Sequence, residues 1–408
     1  MTKDRNATLR LLIVVALVGL ALRPFLTGVG PVTAPMRAET GLSLQGLSAL
    51  TLVPILLMGA GAFFGPAILA RLGAKRATVL ALVILGFGSG LRLVAHSTFD
   101  LLGSAVLLGL GAAGAQAAFP AIIKREFQQG LNLAMGLYAS MMMGGGAFGA
   151  QAAPLIAAWS GSWRLALGWL AVPALMTALL AALVLPSEKR QPREGRQRLA
   201  HWLRLPRVWL LMACFGLING GYSSSVAWIS PTFQELGWSA GASGGLLALL
   251  AVGQAVSALL IPALANRSRD RRPWLALCLA MQIIGFAMLI LRPEAAPHMV
   301  TFMLGAGLGG CFSLMMIVAL DHLPGPAEAG TLAALMQGGG FLLAALPPWV
   351  LALLHDLTGS FTAGWALHLA AVLVVSVLIL ALSPADYGKA MQRLDVPAGP
   401  AGDAAPAE

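Results

Sequence analysis

Charge is what this 408-residue chain has least of: 10% of its residues are Asp, Glu, Lys or Arg, against 58% hydrophobic ones. A soluble domain carries roughly 25% charged residues. Too few charges to coat a surface in water exclude a soluble enzyme, a soluble nucleic-acid-binding protein and a disordered chain. Cysteine is scarce as well. Cys214, Cys278 and Cys311 lie in apolar runs, which supports neither a disulfide framework nor a zinc cluster, and no cofactor is expected. The alternating apolar and polar strands of a barrel are missing. What the chain does have is long apolar runs, with a mean hydropathy of +0.82. It reads as an all-α integral membrane protein.

A helix needs about 20 mostly apolar residues to cross the hydrocarbon, and its backbone polar groups must be satisfied internally. Twelve runs qualify, at about 11–35, 43–70, 77–96, 100–123, 131–157, 163–185, 207–232, 243–266, 273–292, 298–320, 329–354 and 361–383. The first is too long and too well continued for a cleaved signal peptide. With both termini in the cytoplasm, all but five of the 26 Lys and Arg residues fall on the inner side, as the positive-inside rule requires. The exceptions are Arg23, Arg37, Arg92, Arg164 and Arg292. The excess of basic residues is therefore a topology signal, and no nucleic-acid partner is expected. Trp159, Trp163, Trp349 and Trp365 fall near outer span ends, where an aromatic belt would sit.

The predicted organisation is a short cytoplasmic tail (1–10), a six-helix bundle (11–185), a basic cytoplasmic loop (186–206), a second six-helix bundle (207–383) and a disordered Ala/Pro/Gly-rich tail (384–408). The bundles repeat one another. PAILAR (Pro66–Arg71) recurs as PALANR (Pro262–Arg267), and LGLGAAG (Leu108–Gly114) as LGAGLGG (Leu304–Gly310), both 196 residues on. MMGGG (Met142–Gly146) matches MQGGG (Met336–Gly340) and Pro154 matches Pro348, both at 194. Duplicated six-helix halves with a site between them describe many secondary transporters.

LGxGxxG resembles a dinucleotide fingerprint but follows no strand and lacks the βαβ context the fingerprint needs. It reads as helix packing, because glycine lets helices approach closely; the Gly144–Gly146 and Gly338–Gly340 runs read the same way.

Arg23 is the most informative residue. It lies ~18 Å into the first span at ~1.5 Å per residue, near mid-membrane, and all 16 acids fit at span ends, in loops or in tails. Such a residue usually faces a cavity and marks a substrate path; the plainer alternative is an Arg satisfied by carbonyls near Pro24, where the helix ladder is interrupted. An unpaired guanidinium there suits a small anion. The repeat register adds Asn219, 196 residues after Arg23, and Ser223, 196 after Thr27. Each half thus carries a polar i, i+4 pair on one helix face. Asn219, Tyr222 and Ser223 are expected to hydrogen-bond the far end of an anion held by Arg23.

The segments between spans 2 and 3 and spans 8 and 9 resemble the loop motif of the major facilitator superfamily, G-x-L-a-D-R-x-G-R-R/K. Arg71, Gly73, Lys75 and Arg76 fit it, while Pro66 and Ala70 stand at its Gly and Asp, and Asn266 at the second Asp. In that superfamily's arrangement spans 1, 4, 7 and 10 line the cavity, which brings Gln116, Phe119, Phe312 and Ser313 to the site. Gln282 falls on a peripheral span and reads as structural. LRPFLTGVGP (Leu22–Pro31), PAIIKREFQQ (Pro120–Gln129) and FGLINGGYSSSVAWISPTF (Phe215–Phe233), with ALDH (Ala319–His322) and GWALH (Gly364–His368), resemble bacterial cyanate transporters of the cyanate/nitroimidazole branch. That resemblance spans nearly the whole chain. It implies a monomeric, lipid-embedded inner-membrane permease for cyanate, a linear monovalent anion, working by alternating access.

The residues alone reach a small-anion transporter. Another small anion, a nitroimidazole-like compound taken up or expelled, and a membrane sensor are the alternatives. An enzyme is not expected, since catalysis needs converging groups and Asp321–His322, an adjacent acid–His pair, falls at a helix end. The lack of a mid-membrane acid predicts anion exchange or uniport in preference to proton symport. His368 is either a packed residue or part of a proton path.

Overall fold

In hydrocarbon each backbone amide must find its partner along its own helix, and the fold is built accordingly. A computed structural model describes residues 5–127, 131–186, 199–265, 267–324 and 326–391. Most of the basic loop (187–198), Asn266 and the chain from 392 onward lie outside the described residues.

Span 1 comes in pieces, Arg5–Ala21, Pro24–Thr27, Gly30–Val32 and Thr33–Thr40. Spans 2 to 6 are Leu44–Leu72, Ala74–Leu91, Thr98–Glu126, Leu131–Ser160, and Trp163–Gly168 continued by Ala171–Val184. Spans 7 to 10 are Pro206–Glu235, Ala240–Ala265, Arg272–Leu291 and Pro297–Asp321. Span 11 is Pro326–Ala345 followed by Pro347–Thr358, and span 12 is Thr362–Leu378. Eleven of these meet the length and apolarity needed to cross a membrane, and Leu131–Ser160, 30 residues long, makes the twelfth. Local sequence sets the ends. Ser97 and Asp100 form a capping box at the start of span 4, satisfying amides the first turn leaves open.

The duplication read from the sequence is a duplication of packing. In the first half span 4 packs on spans 2 and 3, span 5 on span 1, and span 6 on spans 1 and 3. The second half repeats each pair six spans on: 10 on 8 and 9, 11 on 7, 12 on 7 and 9. The glycine motifs sit in these seams. A Cβ at Gly111 would lie 2.7 Å from the Ala81 carbonyl oxygen of span 3, and one at Gly307 would lie 2.5 Å from the Cys278 carbonyl oxygen of span 9. Those glycines are close-approach points between helices. Left-handed turns repeat too: Gly41 and its counterpart Gly237 both hold positive φ, 64° and 90°, a conformation that disfavours any Cβ.

The halves meet through span 5 on span 8 and span 2 on span 11. At the end away from the termini, Gln234 Nε2 donates to the Pro31 carbonyl at 3.1 Å and Gln45 Nε2 donates to Asp356, so that end is drawn together.

Two expectations need correction. Trp159 and Trp349 are exposed, as belt residues should be, but Trp163 and Trp365 are buried. Trp163 turns inward to donate to Glu39 at 2.7 Å, and Trp365 stacks on Phe286. The supposed disordered tail also starts too early. Pro384–Asp386 and Tyr387–Met391 are helical, and the Tyr387 ring stacks on His322 with centroids 3.9 Å apart, because Tyr387 and Met391 bury apolar surface.

Candidate functional site

Pro24 has no amide to give the Leu20 carbonyl, so the first helix stops at Ala21 and restarts at Pro24. Arg23 falls in that gap, with φ −123° and ψ −25°, and is 4% exposed. The break leaves its side chain on the seam between the halves. Its Nη1 donates to the Tyr222 hydroxyl of span 7 at 3.0 Å, and its Cζ lies 5.2 Å from the Tyr222 ring centroid, within cation–π range. Its Nε is buried without a partner. Among the described residues, the buried polar set contains Arg, His, Ser, Thr, Asn and Gln but no Asp or Glu. The charge of Arg23 is therefore uncompensated inside the bundle.

The geometry sorts the other expected site residues. Thr27 is buried and donates its hydroxyl to the Gly146 carbonyl of span 5 at 2.7 Å. Ser223 donates in the same way to the Ala344 carbonyl of span 11 at 2.6 Å. These two hydroxyls repeat the symmetry of the halves, and both protons are committed to backbone. Asn219 turns its Nδ2 back to the Phe215 carbonyl at 2.8 Å, one turn from Tyr222. Phe119 is buried and meets the Tyr138 ring at 5.6 Å. Gln116, one turn earlier on the same face of span 4, has a buried Nε2 without a partner.

Tyr138 on span 5 is the residue the sequence reading missed. Its hydroxyl is buried without a partner and lies within electrostatic reach of Arg23. Its backbone lies 2.6 Å from where a Cβ on Gly19, four residues before Arg23, would sit. The signal was present in composition, since tyrosine occurs only three times in the chain and Tyr138 lies inside an apolar span. Gly146 completes the wall: a Cβ there would be 3.6 Å from Arg23 Cβ and 4.0 Å from Ala251 Cβ of span 8.

The remaining candidates, Phe312 and Ser313 among them, make the following contacts. Gln282 Nε2 donates to the Gly307 carbonyl at 3.2 Å. The Phe312 ring tilts against Phe215 with centroids 5.3 Å apart, and Ser313 donates to the Gly309 carbonyl. His368 stacks on Phe286 at 5.4 Å. Asp321 pairs with Arg271 at 3.4 Å, while His322 Nδ1 faces the Val318 carbonyl. Among the described residues no three His, Cys, Asp or Glu side chains come together to hold a metal.

The chemistry of the seam is thus a fixed positive charge ringed by aromatic faces and hydrogen-bond donors. Tyr222 accepts from Arg23 and keeps its own proton to donate, and Arg23 Nε, Tyr138 and Gln116 hold further unused donors. Positive charge and free donors of this kind can hold a small anion.

Known proteins agree with the architecture. The cyanate transport protein CynX of Escherichia coli (strain K12) is 38% identical over 377 residues, covering 92% of this chain and 98% of its own. A 2-nitroimidazole transporter from the same organism is 25% identical over 373 residues, 90% of this chain and 92% of its own. Among solved structures, the nucleoside transporter NupG superposes with a TM-score of 0.70 at 15% identity, over 92% of this chain and 99% of its own. A D-xylose-proton symporter gives 0.71 at 14%, over 91% and 97%. The Major Facilitator Superfamily profile matches residues 11–348 and 231–402. With twelve crossings in two matched halves, this chain belongs to the Major Facilitator Superfamily, in the branch that holds its cyanate and 2-nitroimidazole relatives.

Proposed function

We propose that this protein carries a small monovalent anion, cyanate, across the bacterial inner membrane by alternating access, with Arg23 binding the charge. The observation that supports this most is the buried Arg23 guanidinium, on the seam between the halves, with Tyr222 as partner and no buried acid to neutralise it. An unpaired intramembrane charge is costly and is kept where it serves a substrate. The name of the 38%-identical relative selects cyanate among the anions that fit. Tyr222, Tyr138, Gln116 and Asn219 supply hydrogen bonds around the anion and Phe119 its apolar wall. Thr27 and Ser223 act one step back, by holding spans 1 and 7 to spans 5 and 11. Both termini are cytoplasmic in this reading, at the end of the bundle where Lys and Arg concentrate.

The same arrangement favours exchange or uniport over proton symport. An empty carrier that reorients must close around an uncompensated Arg23, whereas an anion-loaded one does not. His368, the candidate proton carrier, is packed on aromatic rings. Counterflow in proteoliposomes tests both parts. Trans cyanate should accelerate cyanate uptake several-fold, with nitrate, bicarbonate, thiocyanate and 2-nitroimidazole as competitors, and an imposed pH gradient should drive no accumulation. Uptake driven by a proton gradient and lost in His368→Ala would overturn the coupling. Preference for 2-nitroimidazole over every anion would overturn the substrate class.

A further inference from the structure

A second guanidinium lies inside the first half, behind span 1. Arg92 closes span 3 and is 1% exposed. Its Nε donates to the Ser104 hydroxyl of span 4 at 2.9 Å, and its Nη1 donates to the Phe25 carbonyl at 3.0 Å. Its Nη2 is buried without a partner, and no described acid pairs with it. Removing a charge from water this fully is expensive, so the contacts it does make deserve an explanation. Phe25 is the second residue of the four-residue turn Pro24–Thr27, and Arg23 is the residue that enters that turn. A turn so short cannot hold its own direction, and its carbonyls need donors from elsewhere.

The repeat register shows that this arrangement is not a general feature of the fold. At 196 residues on, Arg92 corresponds to Met288, Ser104 to Val300 and Phe25 to Gly221. The second half has an unbroken span 7, Pro206–Glu235, and fills the matching place with apolar Met288 and Val300, which join its core. The buried arginine and its serine occur in the half whose first span is broken.

We infer that Arg92 is a positioning residue for the substrate site: it clamps the Pro24–Thr27 turn through the Phe25 carbonyl, so that Arg23 is presented to Tyr222. The inference rests on Arg23 being the anion ligand. Arg92→Met installs the residue of the other half, and Arg92→Gln keeps a neutral donor. In cyanate counterflow, Arg92→Met should raise KM about tenfold, the loss of roughly one charge-assisted hydrogen bond, with Vmax changed much less. Arg92→Gln should restore part of that loss, and the melting temperature of both purified variants should stay close to that of the unmodified protein. In a Tyr222→Phe background Arg92→Met should add less than about twofold, because both changes remove the same alignment.

A wild-type KM in Arg92→Met, or its full effect repeated in the Tyr222→Phe background, overturns the inference. If Arg92→Met does not fold, Ser104→Val removes the acceptor of Nε and should raise KM about threefold; an unchanged KM there overturns it as well. Arg23→Ala is run alongside. If Arg23→Ala is inactive while Arg92→Met is normal, only the positioning role fails. If Arg23→Ala transports normally, the substrate site itself is wrong and this inference falls with it.

Discussion

Span 1 and span 7 hold equivalent places in the two halves, yet only span 1 is broken. Pro24 interrupts it; the residue in register on span 7 is Gly220, which keeps its amide and leaves Pro206–Glu235 continuous. The neighbouring pair does the reverse. Span 5 runs unbroken from Leu131 to Ser160, while span 11 stops at Ala345 and restarts at Pro347. Proline and glycine have changed sides of the seam. In the first half Gly149 of span 5 receives Pro24, with 2.7 Å from its would-be Cβ to the Pro24 carbonyl oxygen. In the second, Gly220 of span 7 receives Pro347, 2.8 Å from Cγ. Each half therefore breaks one helix of the same pair, but the first breaks the one that carries a buried charge. Helix packing is repeated between halves that differ in which backbone they open, and the break in the first half lies beside the buried charge.

The largest expected effect comes from removing that charge. Arg23→Ala should abolish cyanate counterflow in a well-folded protein, while Arg23→Lys retains part of it as a point charge without the planar fork. Its counterpart, Asn219→Ala, should cost far less; equal losses at the two positions would mean that the halves are functionally symmetric after all.

Healing the break comes next. Pro24→Ala gives position 24 an amide for the Leu20 carbonyl and lets span 1 run on as one helix. Thermal stability should hold or rise while transport falls about ten- to a hundredfold, since Arg23 is misaimed by about an ångström. Pro347→Ala, the same repair in the other half, should leave cyanate affinity nearly unchanged. A harmless Pro24→Ala would sink the idea that the broken backbone aims Arg23.

Tyr222→Phe and Tyr138→Phe should each weaken apparent affinity about three- to tenfold, the range of one hydrogen bond, with folding intact. Of the two, Tyr138→Phe is the sharper test, because the three-dimensional arrangement is what brings it near Arg23.

The bases of span 10 and span 4 should respond differently to acid. Span 4 ends on Glu126, ion-paired with Arg125 at 2.8 Å; its register mate at the foot of span 10 is His322, under the Tyr387 ring. Burial lowers the His322 pKa to about 4, against roughly 6.5 for an unfolded chain. The depressed folded value means that its contribution to stability is complete above pH 6.5 and is lost as pH falls toward 4. Melting temperature measured across that window should drop, and His322→Gln should flatten the drop. An unaltered pH profile in His322→Gln removes this histidine from the account.

The smallest effects belong to the matched hydroxyls. Thr27→Val and Ser223→Ala each remove one interhelical bond, worth about 0.6 kcal/mol and at most about 1.7 in membrane proteins. They should lower stability to the same small extent and leave affinity within about twofold of wild type. Should Thr27→Val lose affinity as Tyr222→Phe does, Thr27 touches the anion directly.

The chain by itself determined the twelve crossings, the duplication and the depth of Arg23. Those depend on local quantities: apolar length against the thickness of the hydrocarbon, the missing amide of Pro24, and a register of about 196 residues that can be counted. Even the polar pairs Arg23/Thr27 and Asn219/Ser223 were visible as helix faces. What each face meets was not. Whether Tyr222 turns to Arg23, whether Thr27 and Ser223 bond backbone or substrate, whether Tyr138 joins the site and Arg92 stands behind it, all depend on helix rotation and on close approach at glycines far away in sequence. Hydropathy is nearly blind to rotation, because lipid and a neighbouring helix are about equally apolar surroundings for a side chain. Only the packed bundle decides which of its few polar groups become partners.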